Sequence, residues 1–351
     1  MKSYQLVAFG AALEPNEKAN PQPSGTEVLL RTRAAGVCHS DLHLCEGGYD
    51  LGGGKVLSLT DRGVRLPRTL GHETVGEVVA VGPDATGVAV GDIRLIYPWI
   101  GCGSCANCTA GSENLCLGAP ANLGVHRDGG YADHILAPHP RYLLDLKGIE
   151  PTAAAPLACS GLTTYSALRK VMDVARRQPI LLIGAGGLGL MCLALLKALG
   201  GKGAVVVDLD PAKREAALQA GALAVIDGAA PDAAAQINQA LGTPLLAGID
   251  FVGNPATAAL GFDLLAKGGK MVIVGLFGGA SPWSLPLFPM KALTVQGSYV
   301  GNLQELHELV DLVSTLPQTP LPIDARPLDQ ANQALDDLAS GRVVGRAVLV
   351  P

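Results

Sequence analysis

Four cysteines share one short segment, Cys102-x2-Cys105-x2-Cys108-x7-Cys116. Four thiolates on a glycine-bearing loop can close a tetrahedron around Zn²⁺. With sulfur at every position no site is left for water, so such an ion would be structural. Disulfides and an iron–sulfur centre use the same residue type. The dinucleotide-binding pattern farther along the chain favours zinc.

A second set is dispersed: Cys38, His72 and Cys159. Singly each is weak, because a lone cysteine is usually packing and a lone histidine a satisfied polar group. Together, two thiolates and one imidazole would leave a fourth position open, the requirement of a catalytic zinc. Cys45 and Cys192 fit neither set and read as packing.

Gly184-Ala185-Gly186-Gly187-Leu188-Gly189 follows an apolar strand and opens a helix. GxGxxG alone says little in a chain with 45 glycines. In this context the first glycine permits the turn, the second admits a pyrophosphate, and the third lets helix and strand pack closely. The helix N-terminus offers free N–H groups to phosphate. Asp208 ends the next strand and would accept hydrogen bonds from an adenosine ribose. Leu209 and Asp210 follow it rather than an arginine, which favours NAD over NADP. Lys213 either reaches the ribose or is a solvated lysine at a helix start.

The elements that must position these groups change texture near Thr152. Before it, valine-rich runs predict strands at Glu27–Ala34, Thr74–Val81, Asp92–Tyr97 and Tyr131–Ala137. After it, strands at 180–183, 204–207, 248–251 and 270–274 alternate with helices such as 188–199 and 213–220. That alternation implies βαβ units and a parallel sheet. The chain ends in a predicted strand, Arg346–Val350. The fold class is α/β: a β-rich domain, residues 1–155 and 297–351, with a Rossmann doubly wound domain, 156–296, inserted into it.

These motifs resemble the zinc-containing medium-chain alcohol dehydrogenases, closest to the tetrameric microbial NAD-dependent branch. The likeness rests on Gly71-His72-Glu73 leading into Val75-Gly76-Glu77-Val78-Val79, the four-cysteine loop, the nucleotide fingerprint, and Gly297-Ser298-Tyr299-Val300-Gly301-Asn302. Cys38-His39-Ser40-Asp41-Leu42-His43 and Ser160-Gly161-Leu162-Thr163-Thr164-Tyr165 recur in that branch. The resemblance implies a GroES-like catalytic domain and NAD as cofactor. It implies two Zn per chain, a catalytic one on Cys38, His72 and Cys159 and a structural one on the four-cysteine loop. Glu73 would be a supporting carboxylate or alternate ligand, and Asp41 would orient His72. Ser40 would take the alcohol proton and pass it through the nicotinamide ribose to His43. His39 and Arg346 would face the pyrophosphate. Thr163, Val274, Leu276, Ser298 and Tyr299 would border the coenzyme. The implied activity is reversible hydride transfer between an alcohol and its aldehyde or ketone. A polyol dehydrogenase on the same fold is the alternative, and a non-catalytic NAD sensor is a third reading. Every relay and ligand residue that a sensor could dispense with is present.

Composition bounds the remaining classes. A chain of 351 residues, 48% hydrophobic and 16% charged, can bury a large core and exceeds one domain. Its formal net charge of -5 argues against nucleic acid or an anionic membrane as partner. The N-terminus is too short and polar for a signal peptide. The most apolar stretch, 180–199, carries the fingerprint glycines and reads as strand, turn and helix rather than a membrane span. A cytoplasmic enzyme is expected. A homotetramer, or else a dimer, is expected from the resemblance and from the apolar segment Leu285–Val295, which could offer a strand edge. Residues 47–68 form an extra segment, either a substrate lid or a solvated insertion. Trp99 reads as core or pocket wall, and Leu123, Val125 and Leu276 add apolar character that favours a less polar substrate.

Overall fold

In the computed structural model, which describes residues 1–317 and 321–351, eighteen strands are numbered in chain order. They are β1 (Lys2–Leu6), β2 (Glu14–Glu17), β3 (Val28–Gly36), β4 (Gly48–Asp50), β5 (Val56–Ser58), β6 (Arg68–Thr69), β7 (Glu73–Val81), β8 (Ile93–Ile96), β9 (His134–Ala137) and β10 (Leu143–Asp145). There follow β11 (Ile180–Ile183), β12 (Ala204–Asp208), β13 (Ala224–Asp227), β14 (Leu245–Asp250), β15 (Leu265–Ile273), β16 (Thr294–Gly297), β17 (Ile323–Pro327) and β18 (Arg346–Val350). The chain forms two units: Met1–Gly48, Ser58–Leu162 and Gly301–Pro351, and Tyr49–Leu57 with Thr163–Val300.

The first unit is β-rich. Its main sheet runs β10-β8-β7-β3-β18-β17, with β9 also on β3. The long strands β3 and β7 pair antiparallel, with register shifts between Leu29 and Leu30 and between Thr32 and Ala34. In β3 the burial alternates, with Arg31 and Arg33 outward between buried Leu30, Thr32 and Ala34. Period-two patterning of this kind gives a sheet one dry face. The C-terminal strand β18 is buried over Arg346–Leu349 and closes against β3. Cys38 follows the end of β3 and His72 immediately precedes β7.

The second unit is a parallel sheet ordered β13-β12-β11-β14-β15-β16. In chain order that is 3-2-1-4-5-6, the doubly wound nucleotide-binding arrangement. Strand β11 is wholly buried, as a central parallel strand covered on both faces must be. The helix Gly187–Ala198 follows it. The expected apolar edge at Leu285–Val295 differs in detail: Leu287–Lys291 is a short helix, and the edge strand is β16. Two prolines, Pro286 and Pro289, keep the first part of that segment out of the sheet.

The extra segment also has structure of its own. β4 and β5 pair as a hairpin, and Tyr49–Leu57 belongs with the dinucleotide unit. Gly279 N–H donates to Asp50 O at 3.0 Å. Among the described residues no helix is long and apolar enough to cross a membrane.

Candidate active site and metal centres

The four-cysteine loop gathers its sulfurs as the spacing requires. Sγ of Cys108 lies 3.9 Å from that of Cys102 and 3.4 Å from that of Cys105. Zinc–sulfur bonds of about 2.3 Å in a tetrahedron put sulfurs roughly 3.8 Å apart. All four cysteines are unbonded thiols. Backbone N–H groups point at them: Cys102 donates to Cys116 Sγ at 3.2 Å, Cys105 to Cys102 Sγ at 3.4 Å, and Leu117 to Cys105 Sγ at 3.4 Å. Such donors favour the thiolate. Donation from the Ser104 backbone and hydroxyl pulls the Cys102 thiol down to about 6, while burial pushes Cys108 up to about 12. Glu113 braces the loop from beneath, accepting from Gly101 N at 3.0 Å and from Tyr142 Oη at 2.8 Å. The sequence contains no local signal for that brace.

The dispersed set also converges. Cys38 caps the helix His39–Glu46 just after β3, His72 precedes β7, Glu73 begins it, and Cys159 follows the turn Ala155–Ala158. Their ligand atoms all lie within 4.8 Å of one another, and all four residues are buried. Cys38 and Cys159 sulfurs stand 3.9 Å apart. Nδ1 of His72 lies 3.3 Å from Asp41 Oδ1, too poorly aligned for a good hydrogen bond, and among the described residues Nε2 has no well-formed hydrogen-bond partner. A buried imidazole nitrogen without a partner, beside two thiols, is what a metal ion would satisfy.

The charges around this set favour a cation. Donation from Cys159 holds the Cys38 thiol well below its usual range, against the effect of burial. Burial works against a charged His72, but Asp41 outweighs it and raises the imidazole above its usual range. Glu73 lies among these ligand atoms but is paired with Arg346, whose Nε donates to Oε2 at 3.0 Å and whose Nη2 pairs with Oε1. Ser160 N–H also donates to Oε1 at 3.2 Å. A Cβ on Gly36 would overlap Glu73 Oε2, so β3 needs glycine where it passes this carboxylate. Trp99 is 3% exposed, donates Nε1–H to Ala158 O at 3.0 Å, and tilts over His72 with centroids 5.3 Å apart.

Asp41 is the hub behind His72. Its Oδ2 accepts from Cys38 N at 3.0 Å and from Tyr131 Oη at 2.9 Å. Burial and the neighbouring carboxylate raise Tyr131 well above its usual value, so its hydroxyl is a donor. Ser40 and His43 sit three residues apart on the helix His39–Glu46 and therefore share a face. Both are half-buried, His39 is exposed, and His43 Nδ1 is 3.1 Å from Glu46 Oε2.

In the dinucleotide unit the glycines do distinct things. Gly184 has φ 99°, and nothing lies within 4 Å of a Cβ built on Gly186. A Cβ on Gly189 would overlap Gly184 O. This leaves an open cradle above the first turn of the helix, as a pyrophosphate needs. Asp208 accepts from Ala185 N at 2.7 Å and from Asp210 N at 2.9 Å. Arg214 stands beside it, with no sign in the local sequence. Its Nη1 donates to the carbonyls of Asp208 and Leu209, each at 2.8 Å, and Nη2 is 3.4 Å from Asp227. Lys213 is half-buried next to it. Thr163 and Val274 are buried, Ser298 N–H donates to Ile273 O at 3.0 Å, and Leu276 and Tyr299 are 44% and 43% exposed.

A GroES-like unit that carries a buried metal-ligand set and a doubly wound nucleotide unit in the same chain define a metal- and dinucleotide-dependent oxidoreductase. Comparison with known proteins agrees. Residues 24–147 match the alcohol dehydrogenase GroES-like domain, and residues 187–315 match the zinc-binding dehydrogenase domain. The NAD-dependent alcohol dehydrogenase of Sulfurisphaera tokodaii is 38% identical over 353 residues, covering 100% of both chains. That of Saccharolobus solfataricus is 37% identical with the same coverage. The crystal structure of the alcohol dehydrogenase from Aeropyrum pernix superposes with a TM-score of 0.88 at 31% identity, again over 100% of each chain. The chain belongs to the zinc-containing medium-chain alcohol dehydrogenase family.

Proposed function

We propose that this protein is an NAD-dependent zinc alcohol dehydrogenase, acting reversibly on a primary or secondary alcohol and its aldehyde or ketone. The observation that carries this reading is the buried Cys38–His72–Cys159 set with its unpartnered Nε2. When bound, zinc supplies Lewis acidity that eases loss of the hydroxyl proton, and NAD accepts the hydride. The protein's residues do the rest. Cys38, His72 and Cys159 would hold the ion, Asp41 would orient His72, and Arg346 pairs with Glu73. Ser40 receives the substrate proton, and His43 returns it to solvent. The glycine turn and Asp208 hold the dinucleotide, with Lys213, Thr163, Val274, Leu276, Ser298 and Tyr299 along its length, and His39 and Arg346 toward its phosphates.

Trp99 over His72 gives the site an apolar wall, which favours an alcohol with an apolar substituent over a polyol. Assaying NADH formation at alkaline pH with hexanol, benzyl alcohol and sorbitol tests both points. Turnover of the first two is expected, and activity on sorbitol alone would overturn the substrate class. Eight unpaired cysteines suit a reducing cytoplasm. The exposed edge strand β16, near Leu285 at 77% and Met290 at 71% exposure, supports a homotetramer. Sedimentation is expected to give four chains per particle, and a concentration-independent monomer would refute the assembly.

A further inference from the structure

We infer that Tyr131 is a positioning residue for the metal-binding imidazole: its hydroxyl fixes Asp41 so that His72 offers Nε2 to the ion. The inference rests on the metal reading of this site.

Asp41 is 0% exposed, so its oxygens need donors inside the fold. A carboxylate has about four acceptor positions. Four donor groups surround this one. Tyr131 Oη and Cys38 N–H bind Oδ2 at 2.9 and 3.0 Å. Gly71 N–H binds Oδ1 at 3.4 Å, and His72 Nδ1 stands 3.3 Å from the same oxygen. Three of the four come from residues that are, or adjoin, metal ligands. Tyr131 alone comes from elsewhere, and it makes the shortest contact. A carboxylate's terminal torsion is broad and two-fold, so it does not hold its own plane. Without the hydroxyl, Oδ2 keeps only the Cys38 donor, and nothing outside the ligand set sets the angle at which Oδ1 meets His72.

Tyr131 is itself rigidly placed. Its N–H donates to Leu70 O at 3.0 Å, and its carbonyl accepts from Tyr4 N at 2.8 Å. Gly71 has φ 91°, and its missing Cβ makes room for the tyrosine ring, with Cε1 only 2.8 Å from where that Cβ would lie. The ring thus packs on the residue before His72, while the hydroxyl reaches past it to Asp41. Tyr131→Phe separates the two, keeping the ring and deleting the donor.

The test compares zinc-loaded wild type, Tyr131→Phe, Asp41→Asn and the double variant. The rate at which each site yields zinc to a chelating dye is measured, together with the visible spectrum of cobalt-substituted enzyme. Loss of such a supporting hydrogen bond typically costs 10–100-fold in metal affinity, so the three-ligand site of Tyr131→Phe is expected to release zinc about 10-fold faster. The four-cysteine site should release at the wild-type rate, and the cobalt bands should shift. In the Asp41→Asn background Tyr131→Phe should add nothing, because it acts through that carboxylate. Wild-type release and an unshifted spectrum in Tyr131→Phe would overturn the inference. So would an effect of equal size in both backgrounds, since packing would then be its cause. If instead wild type holds no metal outside the four-cysteine loop, the reading of the site itself fails.

Discussion

Ser40 stands two residues beyond a metal-binding thiol, at the start of a helix whose next turn carries His43. Hydride does not leave a neutral alcohol readily, so the hydroxyl proton must go first, and a buried site needs an internal route for it. Ser40→Ala is therefore expected to lower kcat by roughly 10²- to 10⁴-fold while zinc content and NAD binding persist. His43→Gln should cost less, about 10- to 100-fold near neutrality, and part should return with high concentrations of a buffer base. Steady-state kinetics with metal analysis checks both; a zinc-loaded Ser40→Ala enzyme with most of its activity would end the relay. The same scale decides coenzyme choice. Asp208 would repel a 2′-phosphate, and Arg214 beside it is occupied by two carbonyls and Asp227. Asp208→Gly with Leu209→Arg should raise KM for NAD and admit NADP, shifting the ratio of kcat/KM values at least about tenfold. A wild type that already prefers NADP would contradict the role given to Asp208.

Elements were legible where their residues repeat at short range, and contacts were not. The cysteine spacing, the glycine fingerprint, and strands β3, β7, β11, β12 and β18 could be read locally, because periodicity and turn residues lie within one window. The short strand β13 and the hairpin β4–β5 could not, because strands of three or four residues are too short to show a period. Arg346 meets Glu73 across 273 residues, and Tyr131 meets Asp41 across 90. No local pattern encodes such pairs. Asp337 is another case, visible only in the fold. From the helix Ala331–Ala339 it accepts from Arg342 at 2.6 Å and from Arg326 of β17 at 2.6 Å, joining helix, turn and strand. These donors, with Gln333, pull its carboxyl from 3.8 to about 2. A carboxyl lowered in the folded state adds stability above its unfolded value and loses it as pH falls through the folded one. Asp337→Asn should thus lower the melting temperature at neutral pH, and its deficit against wild type should shrink between about pH 4 and pH 2. A deficit independent of pH would show that the charge is not what binds the three elements.

At the scale of the whole molecule, the two metal sites divide stability from activity. Burial alone would predict that the catalytic ion is the harder to remove, since Cys38, His72 and Cys159 are buried while Cys102, Cys105 and Cys116 are only half-buried. Coordination argues the reverse. In the buried set Glu73 is paired with Arg346, which leaves Cys38, His72 and Cys159 as three ligands and a fourth position for an exchangeable group, whereas the loop offers four sulfurs and several N–H donors to them. Apart from the polar brace at Glu113, the loop has little apolar packing to hold it. Leu115 and Leu117 are 49% and 73% exposed, and its helix Ala106–Thr109 is one turn long. An isolated turn does not persist without tertiary support, so a bound ion would serve as the loop's core. Titration with a chelator should therefore proceed in two stages. The first ion lost, of two per chain, should abolish turnover with little change in melting temperature. The second should lower the melting temperature and open residues 102–118 to proteolysis. Cys102→Ser should reproduce the second stage alone, giving a less stable enzyme that still binds its catalytic ion. Metal analysis alongside activity and thermal unfolding follows each stage. If the melting temperature falls in step with activity from the first ion onward, the division of labour between the sites is wrong, and the catalytic ion is also holding the β-rich unit together.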